Sequence, residues 1–327
     1  MELFKYRSNF ERDIISLASN QIYAPTYNQL NDPFEGLIDS VQDEKAIATF
    51  INGKSKNWHK AFKDVQEIIN ASGIYSLSKD YTNEILWSLY ADGHKGFVIG
   101  YDTFQLISTI NCSYNSPIID RVPVQYCDNP KGLLQWKDSF YEGFNMSNGL
   151  GVKSKAWAHE KEIRLVFEQS GFFEYHFSSI SRIIFGLRTS KENIKQTMLL
   201  LKGRNFKYQK IIMGENSFSL NVIDVEDLYK TEINYQQNLA QLNESLLTSE
   251  KLQCSDTILL EKIRFKVDDI RQMPKILEIV SIKIDHSINP EELRIRCVCD
   301  YEDLPSRTFL YENSPNGFFR IPFKNSK

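Results

Sequence analysis

The chain has 327 residues, of which 42% are apolar and 13% aromatic, so it is long enough to bury a large core in more than one domain. Its formal net charge of −3 removes any electrostatic requirement for a nucleic-acid or membrane partner, while permitting a local basic patch. No apolar run approaches the length of a membrane span, and residues 1–7 are too charged for a signal peptide. The five cysteines are odd in number and lack the C-x-x-C spacing of zinc sites, so we expect a reduced, cytoplasmic protein without a membrane partner.

Strands and helices alternate irregularly along the first two-thirds of the chain. Residues 3–7 predict a strand, and apolar residues at near-helical spacing after Phe10 predict a helix. A loop is expected at 28–36, because Pro33 disfavours helical geometry at Asp32. The other predicted elements are strands 22–24, 74–78, 97–101, 122–126, 183–186, 210–213 and 219–223, and helices at 41–72, between Thr82 and Gly93, at 131–148 and at 191–202.

The stretch 155–167 holds the charged residues on which a functional interpretation centres. Ile163, Leu165 and Phe167 recur at every second position, which is the period of a half-buried strand. On such a strand, Glu160, Glu162 and Arg164 share the opposite face, over an apolar floor. The alternatives are a solvated strand face and a helix in which Glu160 pairs with Arg164. The alternation argues against the helix but leaves the solvated face open.

The last third of the chain differs in composition from the rest. Residues 234–252 are polar, with three leucines at helical spacing, and predict a helical linker. Beyond it, strand candidates lie at 258–266, 276–284, 293–299, 307–311 and 317–323. The chain is therefore predicted to be α+β, with a mixed strand-rich domain at 1–233, a helical linker at 234–255 and a small all-β domain at 256–327.

Several short motifs with charged or aromatic residues occur in the first 230 residues. They are Lys5-Tyr6-Arg7, Asn31-Asp32-Pro33-Phe34-Glu35, Ser76-Leu77-Ser78, Trp87-Ser88-x-Tyr90-Ala91, His94-Lys95-Gly96 and Trp157-x-x-Glu160-x-Glu162-x-Arg164. Together these motifs resemble those of a bacterial family known as "domain of unknown function 2971". The family name implies no activity, and the terminal β domain lies outside the resemblance. Within the motifs, Asp32, Trp87, Tyr90, Lys95 and Arg164 are further candidate pocket residues.

The order of a basic residue, Ser-x-Ser and Glu-x-Glu is also similar to ADP-ribosyltransferases that carry an Arg-Ser-Glu triad. This resemblance implies that Arg7, with Tyr6, binds NAD and that Ser76, with Ser78, shapes the nicotinamide pocket. It further implies that Glu162 holds the reacting ribose and that Glu160 acts on the acceptor. The sequence departs from the pattern at Leu77, where the family has threonine, and in the added positive charge of Arg164.

The chemistry of this resemblance has a clear physical requirement for carboxylates. Breaking the nicotinamide–ribose bond creates an oxocarbenium-like ion, which a fixed carboxylate stabilises. A second carboxylate can position or deprotonate the acceptor. The expected activity is therefore NAD-dependent ADP-ribosyl transfer or NAD hydrolysis, in a bacterial toxin or phage-defence setting, with an unidentified protein or nucleic acid as acceptor.

Two other functions stay open at the level of the sequence. A metal-dependent nuclease would hold Mg²⁺ through Asp32, Glu160 and Glu162, although the lysine of the usual D…E-x-K pattern is replaced by Glu162. A sensor or binding module would use the charged strand for ligand contact only. In either setting, the C-terminal β domain is a candidate for binding a protein partner.

Overall fold

The computed structural model describes residues 1–41, 43–45, 55–137, 140–285, 293–302, 304–314 and 317–321. The backbone divides into two compact units. The first unit comprises Met1–Asn111 and Ser116–Asn234, and the second comprises Cys112–Asn115 and Tyr235–Lys327. None of the helices in the described part of the chain is long and apolar enough to cross a membrane.

The helices and strands follow the chain in an irregular order. The helices are α1 (Phe10–Ala18), α2 (Ser55–Ala71), α3 (Glu84–Tyr90), α4 (Thr103–Tyr114), α5 (Met146–Leu150), α6 (Lys191–Leu200), α7 (Ser249–Leu252) and α8 (Thr257–Arg271). The strands up to residue 225 are β1 (Glu2–Arg7), β2 (Gln21–Ala24), β3 (Gly73–Ser78), β4 (Phe97–Asp102), β5 (Ile118–Pro123), β6 (Gln125–Cys127), β7 (Leu134–Lys137), β8 (Phe140–Phe144), β9 (Val152–Ser154), β10 (Glu162–Phe167), β11 (Gly171–Glu174), β12 (Ile180–Phe185), β13 (Lys207–Met213) and β14 (Leu220–Val225). The later strands are β15 (Gln241–Leu242), β16 (Ile276–Asp285), β17 (Arg294–Tyr301), β18 (Arg307–Ser314) and β19 (Gly317–Ile321).

An eight-stranded sheet forms the centre of the first unit, in the order β14-β13-β12-β4-β1-β3-β10-β5. Its strands pair antiparallel except for β12 and β13, which are parallel and are connected through α6. In β10, Ile163, Leu165 and Phe167 are buried, as their alternation predicted. The opposite face of β10 is also buried, because Glu162 and Arg164 are 6% and 1% exposed. The solvated strand face that the sequence left open is therefore excluded.

Strand β1 is held unequally by its two neighbours. It pairs with β4 along its whole length, from Glu2 opposite Asp102 to Arg7 opposite Phe97. The described register joins β1 to β3 at one pair, Phe4 opposite Ser78. The other side of β3 is fully paired with β10, from Glu162 to Phe167. The sheet is therefore loosely joined between β1 and β3, and side chains can enter between these two strands.

The second unit contains the sheet β15-β16-β17-β18-β19 and helix α8. Its core includes Ile263, Val267 and Ile270 from α8, together with Cys297 and Cys299 from β17. The α+β class and the small C-terminal sheet predicted from the sequence are thus confirmed. Part of the last predicted strand, at 322–323, lies outside the described residues.

Three predicted elements were wrong in detail. Residues 258–266 are helical rather than extended, because Asp256 caps the backbone N–H groups of Ile258 and Leu259 and apolar residues recur at helical spacing through Ile270. The predicted helix at 131–148 is instead the hairpin β7–β8 followed by α5. The predicted linker is only partly helical, and its Ala240, Leu247 and Leu252 are buried in the core of the second unit. Of the predicted helix 41–72, residues 42 and 46–54 lie outside the described residues.

We predict that limited proteolysis within residues 226–252 cuts before Ala240 rather than in the short helices beyond it. Residues 226–239 expose Leu228 and Ile233, whereas Leu247 and Leu252 are buried. Proteases need locally unfolded chain, which costs least where few contacts are broken. Mass spectrometry of the early fragments identifies the cut. Early cleavage between Ser245 and Leu252 would contradict the packing of this segment against the second unit's core.

The central strand offers a direct test of core packing. Leu165 has no exposed surface, and Leu165→Ala is expected to lower the free energy of unfolding by about 2–5 kcal/mol through lost burial and the remaining cavity. The matched control is Leu200→Ala, because Leu200 is 51% exposed on α6. Urea denaturation followed by circular dichroism measures both changes. Equal stability of the two variants would show that β10 is not a core strand.

Candidate functional site

A cavity of about 210 Å³ lies where β1 and β3 are loosely joined. Its walls come from β1, β3, the loop 29–35, α3, β9, Glu160 and the start of β10. Lys5, Ser76, Glu160 and Glu162 are among the residues that line it. The three motifs that the sequence analysis took in chain order, on the first strand, the Ser-x-Ser strand and the glutamate strand, therefore meet at one cavity.

Glu160 and Glu162 lie close together, but not for the predicted reason. Glu160 ends a 3₁₀ helix, Lys155–Glu160, and β10 begins only at Glu162. Between them, Lys161 has a left-handed backbone with φ of 47°, which turns the chain into the strand. The prediction that strand alternation places Glu160 on the face of Glu162 was therefore wrong. Both glutamates are nevertheless buried, at 6% exposure each.

Lys153 joins the carboxylates of the site. Its Nζ donates to Glu160 Oε2 at 2.7 Å and lies 3.4 Å from Glu162 Oε2 and 3.3 Å from Glu35 Oε1. The lysine belongs to β9, which pairs in parallel with β6 and not with the central sheet. Its ammonium also lies 4.9 Å from the ring centroid of Trp157, within the range of a cation–π contact. Lys153 thus holds three negative groups at one point.

Arg164 holds two of these carboxylates from the other side. Its Nε donates to Glu162 Oε1 at 2.9 Å, and its Nη2 donates to Glu35 Oε1 at 2.6 Å. Its Nη1 donates to the backbone carbonyl of Leu150 at 2.8 Å. Because Glu35 lies in the loop that walls the cavity, this contact fixes the loop to β10.

The two glutamates of the site have opposite pKa shifts. Burial by itself raises the pKa of Glu162, but the positive charges of Arg164 and Lys153 outweigh it and lower the pKa to about 2. Burial raises the pKa of Glu160 above its ordinary value despite the nearby Lys153. Tyr90 Oη also donates to Glu160 Oε1 at 2.6 Å. Glu162 is therefore ionised at neutral pH, while Glu160 is the better proton acceptor of the two.

Lys5 provides a further titrating group in the cavity wall. Its Nζ donates to the carbonyl of Ser76 at 2.9 Å, across the gap between β1 and β3. Burial and the nearby charge of Arg7 lower the pKa of Lys5 to about 7. Its ammonium also lies 4.8 Å from the ring centroid of Tyr75. Lys5, rather than Arg7, is thus the basic residue of β1 that lines the cavity.

Of the predicted NAD-binding residues on β1 and β3, some line the cavity and one does not. Tyr6, Ser76 and Ser78 line the cavity, and a hydrogen bond from Ser76 helps to lower the pKa of Glu162. Ser78 Oγ donates to the backbone carbonyl of Glu160 at 2.7 Å, so it positions the glutamate. Arg7 does not belong to the cavity lining, because its Nη2 donates to Tyr75 Oη at 3.2 Å.

Of the other candidate pocket residues, only some lie at the cavity. Tyr90 lies in the cavity wall and Arg164 behind it, through Glu162. Trp87 is fully buried in the core, where its Nε1 donates to the carbonyl of Tyr81, and it does not belong to the lining. Lys95 is exposed, next to Asp92. Asp32 accepts a hydrogen bond from the backbone N–H of Phe34 and shapes its own loop.

Sequence reasoning left open whether Glu35 does more than shape its loop, and it missed Lys153 altogether. Glu35 closes the loop motif that carries Asp32, so the motif itself was the available signal. Lys153 lies outside every motif, and only the tertiary structure brings it to the glutamates. For the predicted Mg²⁺ site, the described residues contain no group of three or more His, Cys, Asp or Glu side chains suited to a metal ion. The nuclease hypothesis that this site served stays a prediction.

The pKa of Glu162 leads to a prediction for stability in acid. Because this pKa is about 2 in the folded chain, below the ordinary value of 4.5, ionised Glu162 stabilises the fold above pH 4.5. That contribution is lost as the pH falls from 4.5 toward 2. Glu162→Gln should therefore show a smaller decrease in the free energy of unfolding over this interval. Glu168→Gln, at the exposed residue directly after the same strand, is the matched control and should keep the wild-type decrease. Urea titrations at several pH values measure the free energy of unfolding of each variant. The same dependence on pH in both variants would contradict the pairing of Glu162 with Arg164 and Lys153.

The comparisons with known proteins concern the middle of the first unit. No curated protein and no solved structure matches the chain. A family model described as "Protein of unknown function (DUF2971)" matches residues 86–165, which include Tyr90, Lys153 and both glutamates of the site. The ADP-ribosyltransferase resemblance stays a prediction. The match confirms, for residues 86–165, the DUF2971 family that the sequence motifs predicted.

Proposed function

We propose that the chain cleaves the bond between nicotinamide and ribose in NAD, with Glu162 as the carboxylate that stabilises the developing positive charge. The observation that carries this proposal is the arrangement of strands around one cavity. The basic strand β1, the serine strand β3 and the glutamate strand β10 are neighbours in the sheet, and each contributes to the cavity lining. The acceptor-directed carboxylate, Glu160, is bonded to the same lysine as Glu162.

The cavity fits the reacting end of NAD. A cavity of roughly 150 Å³ admits a benzene molecule, so about 210 Å³ accommodates the nicotinamide ring with little space to spare. Phe4, Leu77 and Leu86 supply apolar wall for a ring. The adenylate end of the dinucleotide must then lie outside the cavity. Carboxylates beside an apolar wall suit a ring that carries positive charge in the substrate and loses it on departure.

The residues of the site have different roles in the proposed reaction. Arg164 and Lys153 keep Glu162 ionised, so its charge is present when the oxocarbenium-like ribose forms. Because both partners are themselves fixed, the carboxylate needs no reorganisation during the reaction. Glu160, with its raised pKa, accepts the proton of the attacking group. Ser78 and Tyr90 hold Glu160 in place through its backbone carbonyl and its side chain.

The biological setting belongs to the same proposal. An NAD-consuming enzyme acts where NAD is present, which favours the cytoplasmic location expected from the cysteines. The toxin or phage-defence role and the partner-binding role of the C-terminal unit stay predictions from the sequence.

We predict that Glu162→Gln decreases the turnover of NAD by 10²-fold or more, because the amide keeps the shape of the side chain but removes the stabilising charge. Nicotinamide release by the purified protein is measured by chromatography, with cell extract added as a source of acceptors. Glu168→Gln is the control and should retain wild-type turnover, since Glu168 is exposed. Circular dichroism at the assay temperature checks that each variant is folded.

Three results would contradict the proposed function. Wild-type protein that releases no nicotinamide, with or without extract, would favour the binding module. Cutting of nucleic acid that requires Mg²⁺ and stops with chelator would favour the nuclease. A folded Glu162→Gln protein with full NAD turnover would remove Glu162 from the mechanism.

A further inference from the structure

We infer that the acceptor in this reaction is water, so that the chain hydrolyses NAD to ADP-ribose and nicotinamide. This inference rests on the proposed function and names its second substrate. It is carried by the enclosure of Glu160, the carboxylate that would act on the acceptor, and by the fixed wall of the cavity around it.

The first observation is the burial of the acceptor-directed carboxylate. Glu160 is 6% exposed, and its two oxygens accept hydrogen bonds from Tyr90 and Lys153. A carboxylate has about four acceptor positions, so each oxygen can still take one more donor. A water molecule can reach such a position, whereas the side chain of a folded protein or a nucleotide must bring its backbone to the same point. The geometry therefore favours the smallest acceptor.

The second observation is the size of the cavity, which is about 210 Å³. A nicotinamide ring in it would take up much of this volume, and the rest of the dinucleotide would have to extend through the opening. A macromolecular acceptor would need the same opening as the substrate. Water needs only the space of one small molecule beside Glu160.

The third observation is that the loop 29–35, which forms part of the cavity wall, is held in place at Glu35. Glu35 is held by Arg164 at 2.6 Å and by Lys153 at 3.3 Å. The next residue, Gly36, has a left-handed φ of 72°, and a Cβ built on it would lie 2.7 Å from the ring of Tyr27. Moving this wall aside for a large acceptor would separate buried charges, which is costly.

The proposed step balances without any further reactant. The bond between the ribose C1′ and the nicotinamide nitrogen breaks, and its electron pair leaves with the neutral nicotinamide. The oxygen of water forms a new bond to C1′, and one proton of that water passes to Glu160 and then to solvent. One NAD and one water thus yield one ADP-ribose, one nicotinamide and one proton.

The test uses the full chain and NAD labelled with ³²P in its adenylate phosphate. The protein is incubated alone, with extract protein, with RNA and with DNA, and both nicotinamide and the label are measured. Hydrolysis predicts one soluble ADP-ribose per nicotinamide, an unchanged rate when macromolecules are added, and no label in acid-insoluble material. Release that depends on an added macromolecule, with the label attached to it, would overturn the inference and leave the proposed function standing. No release under any condition would overturn both.

Small alcohols test the enclosure of the acceptor position. Methanol is close to water in size and should compete with it, giving methyl ADP-ribose, whereas 2-methyl-2-propanol should give no ether product. Equal trapping by both alcohols would contradict an enclosed acceptor position. Glu160→Gln should lower ADP-ribose release at least 10²-fold, since general base catalysis contributes about that much. Glu168→Gln is again the matched control and should behave as wild type.

Discussion

The buried guanidinium of Arg164 is the group on which the site depends. A lone charge at this depth would be strongly unfavourable, since desolvation costs several kcal/mol per ion. Its hydrogen bonds to Glu162, Glu35 and the carbonyl of Leu150 compensate that cost. They also tie the strand β10, the loop around Glu35 and the end of α5 to one point. The position of the cavity wall therefore depends on the hydrogen bonds that compensate the buried charge of Arg164.

The same charges give the two glutamates different chemistry. Glu162 contacts both Arg164 and Lys153, so its negative charge is retained. Glu160 contacts Lys153 and the neutral Tyr90, and its burial raises its pKa despite the positive charge of the lysine. Opposite pKa shifts in neighbouring carboxylates are common where one group must stay ionised and the other must exchange a proton. Both glutamates line the cavity at the loose junction between β1 and β3.

The spacing of residues along the chain predicted some elements correctly and failed at others. The alternation of Ile163, Leu165 and Phe167 predicted the strand and its apolar face, because that period is a local property of the backbone. The same reasoning failed at Glu160, where the left-handed Lys161 interrupts the strand. It also failed at 258–266, where a run of apolar residues is compatible with either a strand or a helix until its packing is known.

The sequence by itself determined the α+β class, the family motifs and the central strand, because each depends on residues that are close along the chain. Only the tertiary structure decided that the charged face is buried and that Lys5, rather than Arg7, lines the cavity. It also joined Arg164 to Glu35, which lies 129 residues away along the chain. Strand order and the burial of charge arise from long-range pairing, and the spacing of residues in a sequence does not contain that information.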